Sequence, residues 1–250
     1  MKKNTSVLWI LSLALNGLFM GFGAYKIFKT HQQHLKEKKL SFQPQKVQYF
    51  VGRNEVLEKI PVDTNEIIML GDSHMQNFEW HEIFKDVPII NRGINGDITK
   101  GVLNRLNEVI ERKPNKIFLE IGINDLLAGY AIDSVFDNYK AIIQTIKAKS
   151  PETEIYVQSL LPTNRNIYYT DKPVLPNILT LNKRLKDFCV AQQMAFIDLF
   201  SHFIVEQKMN PLYNCGDNLH LNGDGYMLWV QIIKDYIVTN KNVVSWHKKK

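Results

Sequence analysis

Between Glu66 and Val238 the chain alternates short apolar runs with longer segments of helical period. That alternation restricts it to βαβ units around a mainly parallel sheet. The runs are Ile67–Leu70 (IIML), Val87–Ile90 (VPII), Lys116–Ile121 (KIFLEI), Glu154–Leu160 (EIYVQSL) and Ala195–Leu199 (AFIDL). Pro88 has no amide to give a ladder, so the second run belongs early in its strand or at an edge. Met75–Phe84 reads as a helix. Lys100–Arg112 sets Val102, Leu103, Leu106, Val109 and Ile110 at helical spacing, and Asp133–Lys149 does the same with Val135, Tyr139, Ile142, Ile143 and Ile146. Leu161–Pro176, with three prolines, reads as a loop, and Ile178–Gln193 and Tyr226–Val238 as helices.

Five strands with helices between them predict an α/β, three-layer, flavodoxin-like sandwich around a five-stranded parallel sheet. Such sheets bind ligands beyond the carboxyl ends of their strands. The loops selected by that rule hold the unusual polar residues. Gly71-Asp72-Ser73-His74 follows the first strand, where a serine at a strand-to-helix turn is placed as a nucleophile or, equally, as a helix cap. Asn91-Arg92-Gly93-Ile94-Asn95-Gly96-Asp97 follows the second, and a glycine N–H there can approach a substrate oxygen closely. Gly122-Ile123-Asn124-Asp125 follows the third, and its asparagine is either an oxyanion donor or turn chemistry. Asp217-Asn218-Leu219-His220 precedes the last helix and offers a base with its orienter.

Taken together and in this order, the four blocks resemble the SGNH (GDSL-type) hydrolases, named for Ser, Gly, Asn and His. GDSH at 71–74, GINGD at 93–97, GIND at 122–125 and DNLHLN at 217–222 match the family's blocks, and VQSLLPTN at 157–164 is similar to platelet-activating-factor acetylhydrolase-like bacterial members. The resemblance covers about residues 66–238. It implies a serine esterase acting on a short-chain or acetyl ester, of a small molecule, carbohydrate or lipid. Ser73 is then the nucleophile, Gly96 N–H and the Asn124 side chain the oxyanion donors, His220 the base and Asp217 its partner. Gly96 rather than Gly93 is assigned because it precedes the aspartate. The resemblance implies no cofactor and no metal. An O-acyltransferase on the same fold stays open. So, more remotely, does a metallophosphoesterase begun by Asp72-x-His74, although no later paired histidine motif supports it. His74 and His81 are expected at the surface or beside the site, Trp80, Phe203 and Trp229 in packing, and Tyr168 and Tyr169 in the cleft or its loop.

The net charge of +6 is unevenly placed. Residues 1–50 carry eight Lys against one Glu and residues 241–250 four Lys, whereas residues 51–240 hold 19 basic and 24 acidic side chains. A nucleic-acid binder carries its basic excess on the folded body, so that class is excluded. The two cysteines, Cys189 and Cys215, are too few for a disulfide scaffold and form no metal motif. Both are expected as buried thiols, with a single disulfide between them left open if the domain lies outside the cytoplasm.

Val7–Tyr25 runs 19 residues without a charge, between Lys2, Lys3 and Lys26, Lys29. That length of helix crosses a hydrocarbon layer of about 30 Å. The expected organisation is an N-terminal transmembrane anchor or signal segment over 1–30, a polar tether over 31–60, a hydrolase domain over 61–240 and a basic tail over 241–250. The anchor predicts a single-pass membrane protein. Lysines on both sides of the run give conflicting orientation signals, and a short basic N-terminus favours an exported catalytic domain.

Overall fold

The structure, a computed structural model, describes residues 22, 25–30, 48–63, 65–168 and 170–238. Two units form, Met1–Tyr49 and Phe50–Lys250. In the first, residues 25–30 are helical and exposed. Most of the apolar run Val7–Tyr25, residues 31–47, Tyr169 and the tail 241–250 lie outside the described residues. Among those described, no helix is long and apolar enough to cross a membrane.

The second unit is built on five parallel strands, β1 (Ile67–Gly71), β2 (Ile89–Gly93), β3 (Lys116–Glu120), β4 (Glu154–Gln158) and β5 (Ala195–Ile197), in the order β2-β1-β3-β4-β5. Every residue of β1 and β3 is buried, as expected of strands covered on both faces. Side chains alternate between two cores. Ile68, Leu70, Ile117 and Leu119 enter one, and Ile67, Met69 and Phe118 the other.

Numbered from the first strand, the helices are α1 (Ser73–Gln76), α2 (Trp80–Ile83), α3 (Thr99–Asn104), α4 (Leu106–Glu111), α5 (Ile123–Leu127), α6 (Ile132–Lys149), α7 (Leu175–Ala191), α8 (Phe200–Phe203) and α9 (Gly223–Ile237). The first core takes Val102, Leu106, Val109 and Ile110, the predicted α6 stripe from Val135 to Ile146, and Ile178, Leu181 and Leu185 of α7. The second takes Met75, Trp80, Phe203, Trp229 and Ile233. Helices therefore cover both faces, and the three-layer expectation holds.

Three local expectations need correction. The single helix over Met75–Phe84 is two short ones, because the Asn91 amide on β2 donates to the carbonyls of Met75, Gln76 and Phe78 and ends α1 there. The helix over Lys100–Arg112 breaks at Arg105, whose side chain turns inward to Asp97 Oδ2 (3.0 Å) and to the carbonyls of Gly71 and Arg92. Helix α7 starts at Leu175 rather than Ile178, since Pro176 lies in a first turn that needs no amide from it. Within the expected tether, residues 48–59 are helical, and Leu57 is buried. The buried Arg112 guanidinium binds Glu66 and the carbonyls of Ile60 and Pro61, fixing the segment that leads into β1.

Candidate active site

The strand order places β2 on one side of β1 and β3 on the other, so the turns leaving β1 and β3 diverge and leave a crevice between them. Ser73 opens α1 directly after β1, and Asn124 lies in α5 directly after β3. Asp72, not Ser73, caps α1: its carboxyl accepts the His74 N–H at 3.1 Å. The Ser73 hydroxyl is thus free of the capping role that its position also allowed.

It meets His220 instead. His220 Nε2 lies 2.9 Å from Ser73 Oγ, and His220 Nδ1 lies 2.6 Å from Asp217 Oδ2. With Nδ1–H donating to the carboxylate, Nε2 presents its lone pair to the serine hydroxyl. Asp217 Oδ1 also accepts the N–H groups of Leu219 (2.9 Å) and His220 (2.8 Å). Although burial opposes it, these amides and the imidazole hold the Asp217 carboxyl well below the usual carboxylate range. Burial pushes the His220 imidazole below its ordinary value; Asp217 counters, while the charges of His74 and Arg165 add to the lowering.

The turn carrying Asp217 and His220 is held from outside. Arg165, in the loop after β4, donates Nε to the Asp217 carbonyl (3.0 Å) and Nη2 to Asp217 Oδ2 (3.1 Å). The Thr163 hydroxyl and the Asn164 N–H both donate to the Asn218 carbonyl. Asn218 takes a left-handed backbone, φ 63°, which asparagine tolerates better than most residues.

Gly93 and Gly96 separate by environment. A Cβ on Gly93 would lie 2.3 Å from the Gln76 amide nitrogen, so this glycine lets β2 pack against the turn that bears Ser73. Gly96 is half-buried in the loop, with φ 75°. Among the described residues no hydrogen bond takes up the N–H of Ser73 or of Gly96. Asn124 Nδ2 donates to the Asp97 carbonyl (3.0 Å) and, at 3.3 Å, to Asp72 Oδ2. Burial and the Glu120 charge push the Asp72 carboxyl up to about 8. The 3.3 Å bond to Asp72 is the longer of the two, so it is the one an oxyanion would displace. Asp125 has a structural task, taking the Thr99 N–H (2.9 Å) and hydroxyl (2.6 Å).

Two further groups lie beside these residues. Of the two places expected for His74 the structure gives the one beside the site: it is buried, with Nε2 3.0 Å from the Leu219 carbonyl oxygen and Nδ1 3.5 Å from Glu120 Oε2. Glu120, fully buried, ends β3; a carboxylate closing an otherwise apolar run was its only signal. Cys215 is exposed, contrary to expectation, whereas Cys189 is buried, and both are free thiols. Cys215, Asp217 and His220 bring possible metal ligands together, as do Asp72, His74 and Glu120. In the first set the carboxylate and imidazole are engaged with each other and with Ser73; in the second both imidazole nitrogens face oxygen. Trp80, Phe203 and Trp229 are packing residues as expected, His81 is exposed, and Tyr168 packs against the first core.

Known proteins resemble this chain in sequence and in fold. The family model of the GDSL-like Lipase/Acylhydrolase family matches residues 70–228. The human platelet-activating factor acetylhydrolase IB subunit alpha2 is 29% identical over 168 residues, spanning 64% of this chain and 71% of that one. A solved Streptococcus pneumonia structure named for platelet activating factor is 25% identical with a TM-score of 0.68, covering 82% of this chain and 98% of its own. A GDSL-like lipase from Bacteroides thetaiotaomicron shares the fold at a TM-score of 0.66 and 23% identity, over 75% and 96% of the two chains. With the four motif blocks inside the matched span, the chain belongs to the GDSL-like lipase/acylhydrolase family and is a hydrolase of esters.

Proposed function

We propose that the substrate is a short-chain acyl ester, foremost an acetyl ester, cleaved through an acyl-enzyme on Ser73. The observation that carries this reading is the continuous hydrogen-bonded line from Ser73 Oγ through His220 to Asp217. His220 Nε2 takes the serine proton as Oγ bonds to the carbonyl carbon. The oxyanion is met by the N–H groups of Ser73 and Gly96 and by the Asn124 amide. Collapse breaks the ester C–O bond, and the alcohol leaves with the proton from His220. Water then attacks the acyl-enzyme, gives a proton to His220, and Ser73 departs with it. Asp217 stays ionised throughout and stabilises the imidazolium. The acetyl preference is supported by the name of the human relative, an acetylhydrolase. A carbohydrate or lipid alcohol fits the same chemistry.

The test is hydrolysis of p-nitrophenyl esters of graded acyl length by the full chain, with Ser73→Ala as control. The expected result is the highest kcat/KM with acetate and loss of turnover in the variant. Acyl transfer to an added sugar in preference to water would point to the O-acyltransferase reading instead. The uncharged run over residues 7–25, flanked by lysines, supports a membrane anchor with the catalytic domain exported.

A further inference from the structure

His74 is fixed between oxygen atoms on both sides of its ring. Nε2 lies 3.0 Å from the Leu219 carbonyl oxygen, which only accepts, so Nε2 bears a proton. Nδ1 lies 3.5 Å from Glu120 Oε2 and 3.9 Å from Asp72 Oδ1. Neither Glu120 oxygen has a hydrogen-bond donor among the described residues, and the carboxyl is fully buried. A buried carboxylate without a counter-charge is strongly disfavoured, and His74 is the cation within reach. The ring also lies edge-on to His220, with centroids 5.7 Å apart.

We infer that His74 is a standing imidazolium, paired with Glu120, that serves as a positioning residue for the base: its Nε2–H holds the Leu219 carbonyl, and its charge keeps the neighbouring His220 unprotonated. The inference rests on His220 being the base, as proposed above. The surrounding groups agree with it. Although burial opposes protonation, Glu120 and Asp72 and the Leu219 carbonyl push the His74 imidazole up to about 9. Burial and the Glu120 charge push the Asp72 carboxyl up to about 8, with the His74 charge drawing it back, so Glu120 is the principal counter-charge of the ring. Tyr226, whose hydroxyl donates to the His74 carbonyl, and Tyr139 are both held neutral by burial. His220 itself faces Asp217 and Cys215 on its own turn, Arg165 from the loop after β4, and Ser73 and His74 from α1. Asp217 draws a proton onto the base. His74 and Arg165 oppose it, so the base stays free at lower pH than it would without them.

Two measurements decide the matter. In the full-length chain labelled with ¹⁵N-histidine, the His74 ring is expected to show two protonated nitrogens at pH 7 and still at pH 8; a neutral tautomer at pH 7 overturns the inference. The second is the pH profile of kcat/KM in His74→Gln combined with Glu120→Gln, in which the new amide keeps a donor for Leu219 while both charges are lost. Its acid limb is expected to move upward by a few tenths of a pH unit, since the opposing Glu120 charge leaves together with that of His74, whereas a residue with only a structural role would lower kcat without moving the limb. A folded double variant with an unmoved limb overturns the electrostatic role, and if that variant does not fold the spectrum of the wild-type chain still decides. Full activity in His220→Ala would instead remove the base assignment, an outcome separable from the charge of His74.

Discussion

Asp217 and His220 lie three residues apart, yet their burdens are unequal. In the proposed mechanism His220 accepts and returns a proton, and without it Ser73 remains an alcohol at neutral pH. Asp217 only orients the ring and stabilises the imidazolium that forms. His220→Ala is therefore expected to cost as much turnover as Ser73→Ala, and Asp217→Ala distinctly less. The double variant Ser73→Ala with His220→Ala should fall little below either single one, because the two act as a unit. Asn124→Ala should lower kcat about 10²–10³-fold with KM nearly constant, since the amide is recruited mainly in the transition state; an unchanged kcat removes Asn124 from the mechanism. The base works unprotonated and its proton affinity is depressed, so kcat/KM should hold at pH 7 and decline only as pH falls through a value below 6.5. These four residues and Gly96 were readable because each sits in a short motif, Ser73, Gly96 and Asn124 just after strands and Asp217 and His220 just before the closing helix. Arg165 and Glu120 were not, and His74 was read only as lying at the surface or beside the site. Their meaning depends on approaches between distant segments: His74 and the Leu219 carbonyl are 145 residues apart, and Arg165 and Asp217 are 52.

At the scale of elements, the strands were legible because a sheet covered on both faces needs apolar runs, as in IIML and the IFL between Lys116 and Glu120. Helix existence followed from the stripes, but continuity did not. Apolar spacing carries smoothly through Lys100–Arg112, while the break comes from a polar side chain the pattern ignores. Arg105 leaves the helical path to clamp Asp97, the residue whose carbonyl also holds Asn124. Arg105→Ala strands a carboxylate that is 2% exposed and should cost about 3–5 kcal/mol of stability. Urea unfolding at pH 7 measures it. Arg105→Lys should restore only part, because an ammonium cannot serve Asp97 and the Gly71 and Arg92 carbonyls with one planar fork. Wild-type stability in Arg105→Ala would refute the clamp.

For the whole molecule, the uneven charge and the uncharged run predict that the full chain sediments with membranes. Cell fractionation checks this: intact protein in the soluble fraction excludes an anchor, and a shortened N-terminus signals cleavage. The order of the chain carries a consequence of its own. The nucleophile emerges with the first strand, but its base arrives 147 residues later, just ahead of the closing helix. A ribosome making this protein therefore releases a serine that is chemically inert for most of synthesis. On the proposed mechanism turnover waits until the turn bearing His220 docks against the turn after β1, and a nascent fold that lacks that turn hydrolyses nothing.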